Sequence, residues 1–405
     1  MQSTPAPDSA YAWKRLALTL LIATIGNVGM WSIVVVMPDV QAEFDIARAA
    51  ASVPYTVTMI GFAIGNLVLG RVVDRYGITI ALTGSALTLG AGYGLAAISP
   101  SVHLLSAAQL LIGLGTAAGF GPLIADISHW FHRRRGIAVA IAASGNYLSG
   151  VVWPVLLNSL QHDAGWRASY SVLAIVIVAS IIPLSLLLRR RPPVAAIHGA
   201  TGDSVVEEMP ATGFSPRTLQ WMLGLAGVGC CVAMSMPQVH LVSLCVDLGY
   251  GPVAGAEMLS LMLMGGVVSR LVSGLIADKL GGVRTLLIGS TLQCIALFLY
   301  LPYDGLVSLY MVSLVFGLSQ GGIVPSYALI VREYLPAKEA GARVGFVIMA
   351  TIAGMALGGW MSGWIYDLTG SYEMAFLNGI AWNILNIAII ATIFLRSRHN
   401  RMIAA

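Results

Sequence analysis

The chain has 405 residues, 57% hydrophobic and only 10% charged, with a formal net charge of +4. A soluble chain of this size carries about 25% charged residues, so the composition describes a polytopic membrane protein. The basic residues are scattered between apolar runs rather than gathered in a patch, which excludes nucleic-acid binding.

Taken in order, the first apolar run begins after Lys14-Arg15 and is too long for the apolar region of a cleaved signal, so no leader is expected. Twelve runs are long enough to cross a bilayer: 15–37, 52–70, 78–98, 103–125, 136–158, 168–188, 218–245, 255–276, 283–302, 306–331, 343–365 and 372–395. Small residues recur four apart, as at Gly145–Ser149 and Gly354–Gly358, a spacing that lets membrane helices approach closely. The four cysteines, Cys230, Cys231, Cys245 and Cys294, lie in apolar runs without metal-ligand spacing and read as packing residues. Neither a metal site nor a cofactor is expected.

The longest polar stretch, Arg189 to Pro216, has no apolar periodicity and reads as a flexible cytoplasmic linker. The expected organisation is a six-helix bundle over 1–190, a linker over 191–216 and a second six-helix bundle over 217–405. Nineteen of the 22 lysines and arginines fall on one side of the spans. Arg48 and Arg167 fall on the other, and Arg270 on neither. The positive-inside rule then puts both termini in the cytoplasm, with the chain multi-pass in the plasma (bacterial inner) membrane.

The two halves repeat. Gly70-Arg-Val-Val-Asp74-Arg75-Tyr-Gly77 follows the second run, and Gly274-Leu-Ile-Ala-Asp278-Lys279-Leu-Gly281 follows the eighth. The same offset carries Gly113 onto Gly317. A repeat on this scale is how transporter halves are built, with the substrate near the midplane.

Those two loops resemble the signature of the major facilitator superfamily, Gly-x-x-x-Asp-Arg/Lys-x-Gly. The Gly165-Trp166-Arg167 turn is also common there. The resemblance implies an all-α membrane fold of twelve helices in two six-helix bundles related by a pseudo-two-fold axis. It also implies that Gly70, Asp74, Arg75, Gly77, Gly274, Asp278, Lys279 and Gly281 act in gating rather than in ligand contact. Within the superfamily, Trp130-Phe131-His-Arg133-Arg134-Arg135-Gly-Ile-Ala138-Val-Ala140-Ile-Ala142-Ala-Ser144-Gly145 resembles the fifth-span entry of monocarboxylate transporters. Arg270-x-x-x-Gly274 matches their eighth-span arginine, which the oxalate–formate antiporters share, and Pro237 matches their seventh-span proline. Departures are equally specific. Gly266 stands where animal members carry an acid, the first span has no lysine, and the acidic-Gly-aromatic motif at its start is absent. The eleventh span lacks the second cation of the oxalate–formate antiporters, and Gln109 stands where many proton-coupled facilitators have an arginine.

Arg270 lies about two turns from Asp278, inside an apolar helix, where a cation costs at least ~2.5–3.5 kcal/mol. A snorkelling arginine or a structural ion pair is one reading. The other is that its anion is the substrate, since guanidinium holds a carboxylate by two parallel hydrogen bonds. Around it, Tyr327 follows Gly321-Gly322 and Pro325, where a broken helix exposes backbone to a cavity. Tyr327 is a donor or a core aromatic, and Gln320 is a further candidate contact. Asn146 and Tyr147, mid-span in the fifth run, line a cavity or join helices, and Asn27 and Tyr55 are similar. His240 is a possible proton carrier or a structural histidine, and Asp247 is a second proton candidate or a helix cap.

The expectation is a secondary transporter of small monocarboxylates of the lactate and pyruvate kind, proton-coupled, working by alternating access as a monomer. Its partners are the carboxylate, protons and the lipid bilayer. The near rival is an organic-anion exchanger of the oxalate–formate type. A drug efflux pump would want an intramembrane acid, and a membrane enzyme would want a metal cluster, a nucleophile–base pair or a phosphate loop; the spans supply none of these.

Overall fold

The computed structural model describes residues 8–131, 133–190, 214–302, 305–335 and 339–404. Among them the regular structure is all helical. Eleven helical segments are long and apolar enough to cross a membrane. One of them, Gly136–Leu187, runs for 52 residues, about 78 Å at ~1.5 Å per residue, more than twice a ~30 Å hydrocarbon core. It is interrupted at Gly165, whose φ is +78°, so it supplies two spans and the count is twelve. Spans are numbered below in that order. The expected linker lies outside the described residues as far as 213.

Helix ends follow local chemistry. Ser9, Ser101 and Ser215 stand at helix starts, and each side chain accepts a backbone N–H from the first turn, which satisfies a donor the helix leaves open. The two repeated loops end their helices identically. Gly77 has φ 87° and ψ 167°, and Gly281 has φ 79° and ψ 168°, a backbone region open essentially to glycine alone. Each donates its N–H back into the preceding helix, to the carbonyls of Val73 and Ala277.

The chain divides into two compact units, Met1–Ile46 with Val53–Ser204, and Ala47–Ser52 with Val205–Ala405. The repeat extends to packing inside each. A side chain at Gly113 would run into the Thr58 carbonyl oxygen, and one at Gly317 into that of Met262, the residue that the same sequence offset pairs with Thr58. Glycine is therefore what lets spans two and four, and spans eight and ten, pack backbone to backbone.

In the first unit, span one is two helices, Ala10–Gly26 and Val28–Phe44, broken at Asn27. Span four is also broken, with Val102–Thr116 and Gly121–Ser128 flanking a 3₁₀ turn at Ala117–Gly119. The Asn27 amide joins the two breaks, donating to the carbonyls of Ala23 at 2.7 Å and Gly119 at 3.0 Å. Gln109 accepts from the Thr58 hydroxyl and donates to Tyr170, so the residue in the place of an arginine ties spans two, four and six. Arg15 is 1% exposed. It forks onto Asp126 through Nε and NH2 at 2.8–3.0 Å, donates to the Leu188 carbonyl, and lies 4.5 Å from the Trp130 ring centroid. The Gly165-Trp166-Arg167 turn also has a visible role: the Trp166 indole and the Arg167 guanidinium both donate to Glu43, at 2.6 Å.

In the second unit, span seven (Pro216–Asp247) is buried over most of its length. Span eleven lies against it through Gly354 and Gly358, where side chains would strike the carbonyls of Val228 and Val232, as their four-residue spacing predicts. Cys230, Cys231, Cys245 and Cys294 are free and buried.

Candidate functional site

Arg270 sits in span eight (Gly251–Leu280) and is 7% exposed. Span ten explains how its head is held. That span is two helices, Gly305–Gln320 and Ile323–Tyr334, and the turn between them, Gly321-Gly322, releases backbone groups from helical pairing. The Gly321 carbonyl accepts from Arg270 Nε at 3.2 Å, and the Gly321 N–H donates to Ser269 Oγ at 3.1 Å. A side chain at Gly321 would collide with the Gly266 carbonyl and the Arg270 amide. The glycine thus brings the broken helix close enough for a backbone carbonyl oxygen to orient the guanidinium.

Gln320 ends the first half of span ten. Its Oε1 accepts from Gln238 Nε2 of span seven at 2.7 Å. Tyr327, in the second half, is fully enclosed and donates to Asn386 Oδ1 at 2.7 Å. Asn386 Nδ2 donates to Ser290 Oγ, and Asn383 donates to the Ser290 carbonyl. The Tyr327 hydroxyl proton is therefore committed to a polar network joining spans nine, ten and twelve.

His240 belongs to a second network. Its Nε2 lies 2.7 Å from the Gly359 carbonyl, and its Nδ1 lies 3.0 Å from the Tyr372 hydroxyl. A carbonyl only accepts, so Nε2 carries the proton in the neutral ring and Nδ1 is the acceptor. Tyr372 lies between spans eleven and twelve, and burial pushes its phenol above the ordinary value, so it stays protonated. Its oxygen accepts from Arg48 NH1 at 2.7 Å, which directs its own proton to His240. Arg48 NH2 donates to Asp247 at 2.9 Å, and the backbone N–H groups of Arg48 and Ala49 donate to the Asp367 carboxylate, each at 2.8 Å. The Arg48 guanidinium lies over the Tyr366 ring, 4.6 Å from its centroid. Asp247 is the last residue of its helix, and its carboxylate is the ion-pair partner of Arg48.

In the first unit, Tyr55 and Tyr147 are buried. The Asn146 backbone carbonyl accepts from Trp31, while its side-chain oxygen is buried without a hydrogen-bond partner. Asn27 serves the two helix breaks described above. In the repeated loops, Gly70 and Gly274 have open space where a side chain would be. Asp278 and Lys279 are exposed in the last turn of span eight, as is Arg75 near the end of span two. Arg75 lies over the neighbouring Tyr76 ring. The Asp74 side chain lies outside the described residues.

Sequence reasoning missed several of these groups, Tyr372 among them. Arg48 counts there as a loop charge, yet it opens a helix and is 6% exposed. Gln238 stands beside Pro237, and the proline carries the motif while the glutamine carries the contact. Asn383 and Asn386, a pair of amides in an apolar run, were the available signal for the Tyr327 network.

The sequence matches the Major Facilitator Superfamily over residues 19–312 and 222–404. It is 27% identical over 397 residues to monocarboxylate transporter 13 of Bos taurus, covering 96% of this chain and 90% of that protein. It is 28% identical over 403 residues to monocarboxylate transporter 11 of Homo sapiens, covering 93% and 81%. A crystal structure of a mutant of the nucleoside transporter NupG superposes with a TM-score of 0.73 at 14% identity, covering 93% of this chain and 99% of that one. With twelve apolar spans and the two signature loops, these matches make the chain a member of the Major Facilitator Superfamily, a multi-pass membrane transporter of small molecules.

Proposed function

We propose that this transporter carries small monocarboxylates, with Arg270 as the group that holds the carboxylate. The observation that carries the reading is a buried guanidinium within an apolar span, oriented by a carbonyl that a helix break has released. Burial strengthens the pairing of guanidinium with carboxylate, because water no longer competes. Two relatives that span nearly the whole chain bear the name monocarboxylate transporter, which favours the same substrate class. One cation, Arg270, in the apolar stretch of span eight from Leu259 to Ala277, with none from Phe346 to Trp364 of span eleven, suits one carboxylate. Asn27, Tyr55, Asn146, Tyr147, Gln320 and Tyr327 remain proposed contacts; Tyr327 would first have to release Asn386.

Transport is coupled to protons in this reading, with His240 as the proton carrier and Asp247 as the counter-charge of its neighbour Arg48. The hydrogen-bond chain Arg48–Tyr372–His240 supports it, since a proton gained at Nδ1 must reverse the Tyr372 bond. The Gly70–Gly77 and Gly274–Gly281 segments serve gating in a monomer. The bundles 1–190 and 217–405 move the site by alternating access, with both termini in the cytoplasm of a bacterial inner membrane. Thermal unfolding of the purified protein with two- to six-carbon carboxylates tests the substrate class. Monocarboxylates should raise the midpoint, and stabilisation by nucleosides or organic cations alone would overturn the proposal.

A further inference from the structure

Basic residues that are scattered in the sequence are gathered by the fold at the end of the first unit where span one begins. Three segments meet there. The Asp8 N–H donates to the Trp130 carbonyl at 3.0 Å, and the Asp8 carboxylate accepts the backbone N–H groups of Arg133 and Arg134 at 3.1 and 3.4 Å. Arg15 NH1 donates to the carbonyls of Leu188 at 3.0 Å and Arg190 at 3.4 Å. Tyr11 packs on Trp130 and Trp13 on Phe131, with ring centroids 5.2 and 5.0 Å apart. Five exposed cations, Lys14, Arg133, Arg134, Arg189 and Arg190, therefore share one patch.

Among the described residues, none of the five enters an ion pair. Asp126 is committed to Arg15, and Asp8 offsets one of the five, so the patch stays strongly positive. Neutral groups hold its arginines instead. The Arg134 guanidinium lies 5.9 Å from the Trp13 ring centroid, and the Arg190 guanidinium 5.0 Å from that of Tyr11. A ring face holds a cation without carrying net charge, so both are positioned and remain open to an anion. Arg189 donates to the Leu186 carbonyl at 3.0 Å, another neutral acceptor. The place of the patch selects the ligand. It lies where span one enters the apolar layer, and the half-buried Tyr11 and Trp13 are the residue types that sit at headgroup depth. The anion concentrated at that depth is lipid phosphate, and lysine and arginine clustered beside a span bind anionic headgroups. Arginine suits phosphate further, because its planar donors match the phosphate oxygens.

We propose that this patch binds the headgroups of anionic phospholipids, with Arg134 and Arg190 contacting phosphate and Tyr11 and Trp13 as the positioning residues beneath them. Lys14, Arg133 and Arg189 add charge. Such binding is independent of the substrate carried and of Arg270.

The test is thermal unfolding of the purified full chain in detergent micelles carrying rising fractions of dioleoyl phosphatidylglycerol or dioleoyl phosphatidylcholine. Whatever binds the folded state raises the midpoint, so the lipid fraction needed for a given rise reads relative affinity. Phosphatidylglycerol should act at a fraction at least about fivefold lower than phosphatidylcholine. Each cation at an anionic surface contributes a factor of about five. Arg134→Gln with Arg190→Gln should therefore raise the phosphatidylglycerol requirement roughly 25-fold and leave that of phosphatidylcholine within about twofold. Arg134→Lys with Arg190→Lys keeps the charge and should stay within about fivefold of wild type. Arg217→Gln with Arg332→Gln removes two exposed cations of the second unit and should change the requirement by less than about twofold. An equal loss in that control would mean that overall charge alone attracts the lipid, and would overturn the site. An unchanged phosphatidylglycerol requirement in Arg134→Gln with Arg190→Gln overturns it too. So does an equal rise with inorganic phosphate at matched ionic strength, which would mark a site for a soluble anion. If the glutamine pair does not fold, salt carries the measurement on wild type. Raised ionic strength screens exposed charges and should raise the phosphatidylglycerol requirement; a requirement indifferent to salt overturns the proposal.

Discussion

Tyr372→Phe removes a single oxygen from the second unit and leaves the ring in place against Tyr366, whose centroid is 4.5 Å away. That oxygen serves two buried groups at once, Arg48 NH1 at 2.7 Å and His240 Nδ1 at 3.0 Å. A hydrogen bond to a charged donor contributes ~1.5–3 kcal/mol and a neutral one ~0.5–1.5 kcal/mol. Arg48 keeps Asp247 and stays partly served, so the combined loss should be about 2–4 kcal/mol. Denaturant unfolding of the purified protein reads this directly. The variant should also respond less to an inward proton gradient, because His240 loses the partner that reports its protonation to Arg48. A stability loss below about 0.5 kcal/mol would mean that the hydroxyl is not holding these groups, and the relay would have to be abandoned.

His240→Gln cannot gain a proton, so it should lose the acceleration of uptake by an inward proton gradient while counterflow exchange, which needs no net proton movement, persists; unchanged proton-driven uptake would remove His240 from the mechanism. Monocarboxylates should compete with a labelled monocarboxylate better than oxalate or malonate do, since a second carboxylate would be buried without a second cation; stronger inhibition by oxalate at neutral pH would move the chain to the exchangers. Gly281→Ala forces a side chain into φ 79°, ψ 168° and should cost ~1–3 kcal/mol of stability; an unaltered unfolding midpoint would contradict the strain.

The spans were legible because a membrane crossing is set by length and apolarity, both local properties. The fifth and sixth spans follow each other with no loop between them, yet the glycine before Trp166-Arg167 marked their boundary. The Gly321-Gly322 pair, with Pro325 just beyond it, marked the break in span ten, although Gly265-Gly266 and Gly358-Gly359 continue their helices. What stayed hidden was pairing over long sequence distances. Arg15 looked like a basic flank, and nothing near it in sequence pointed to Asp126, 111 residues away. Arg48 and Asp247 are 199 residues apart, each at a helix end where a solvated charge is ordinary. Tyr327 was visible as a polar group in an apolar run, but the direction of its hydroxyl depends on which neighbour offers an acceptor, and Asn386 belongs to another span.

Carboxylate recognition by Arg270 is tested by counterflow of a labelled monocarboxylate with Arg270→Lys and Arg270→Ala, at matched protein levels in the vesicles. Lysine keeps the charge and loses the fork, so affinity should fall roughly 10- to 150-fold, the equivalent of one charge-assisted hydrogen bond. Alanine leaves the carboxylate unpaired in a buried site, a penalty of ~3–5 kcal/mol, and exchange should vanish. Near-normal exchange by a well-expressed Arg270→Ala protein would contradict the assignment.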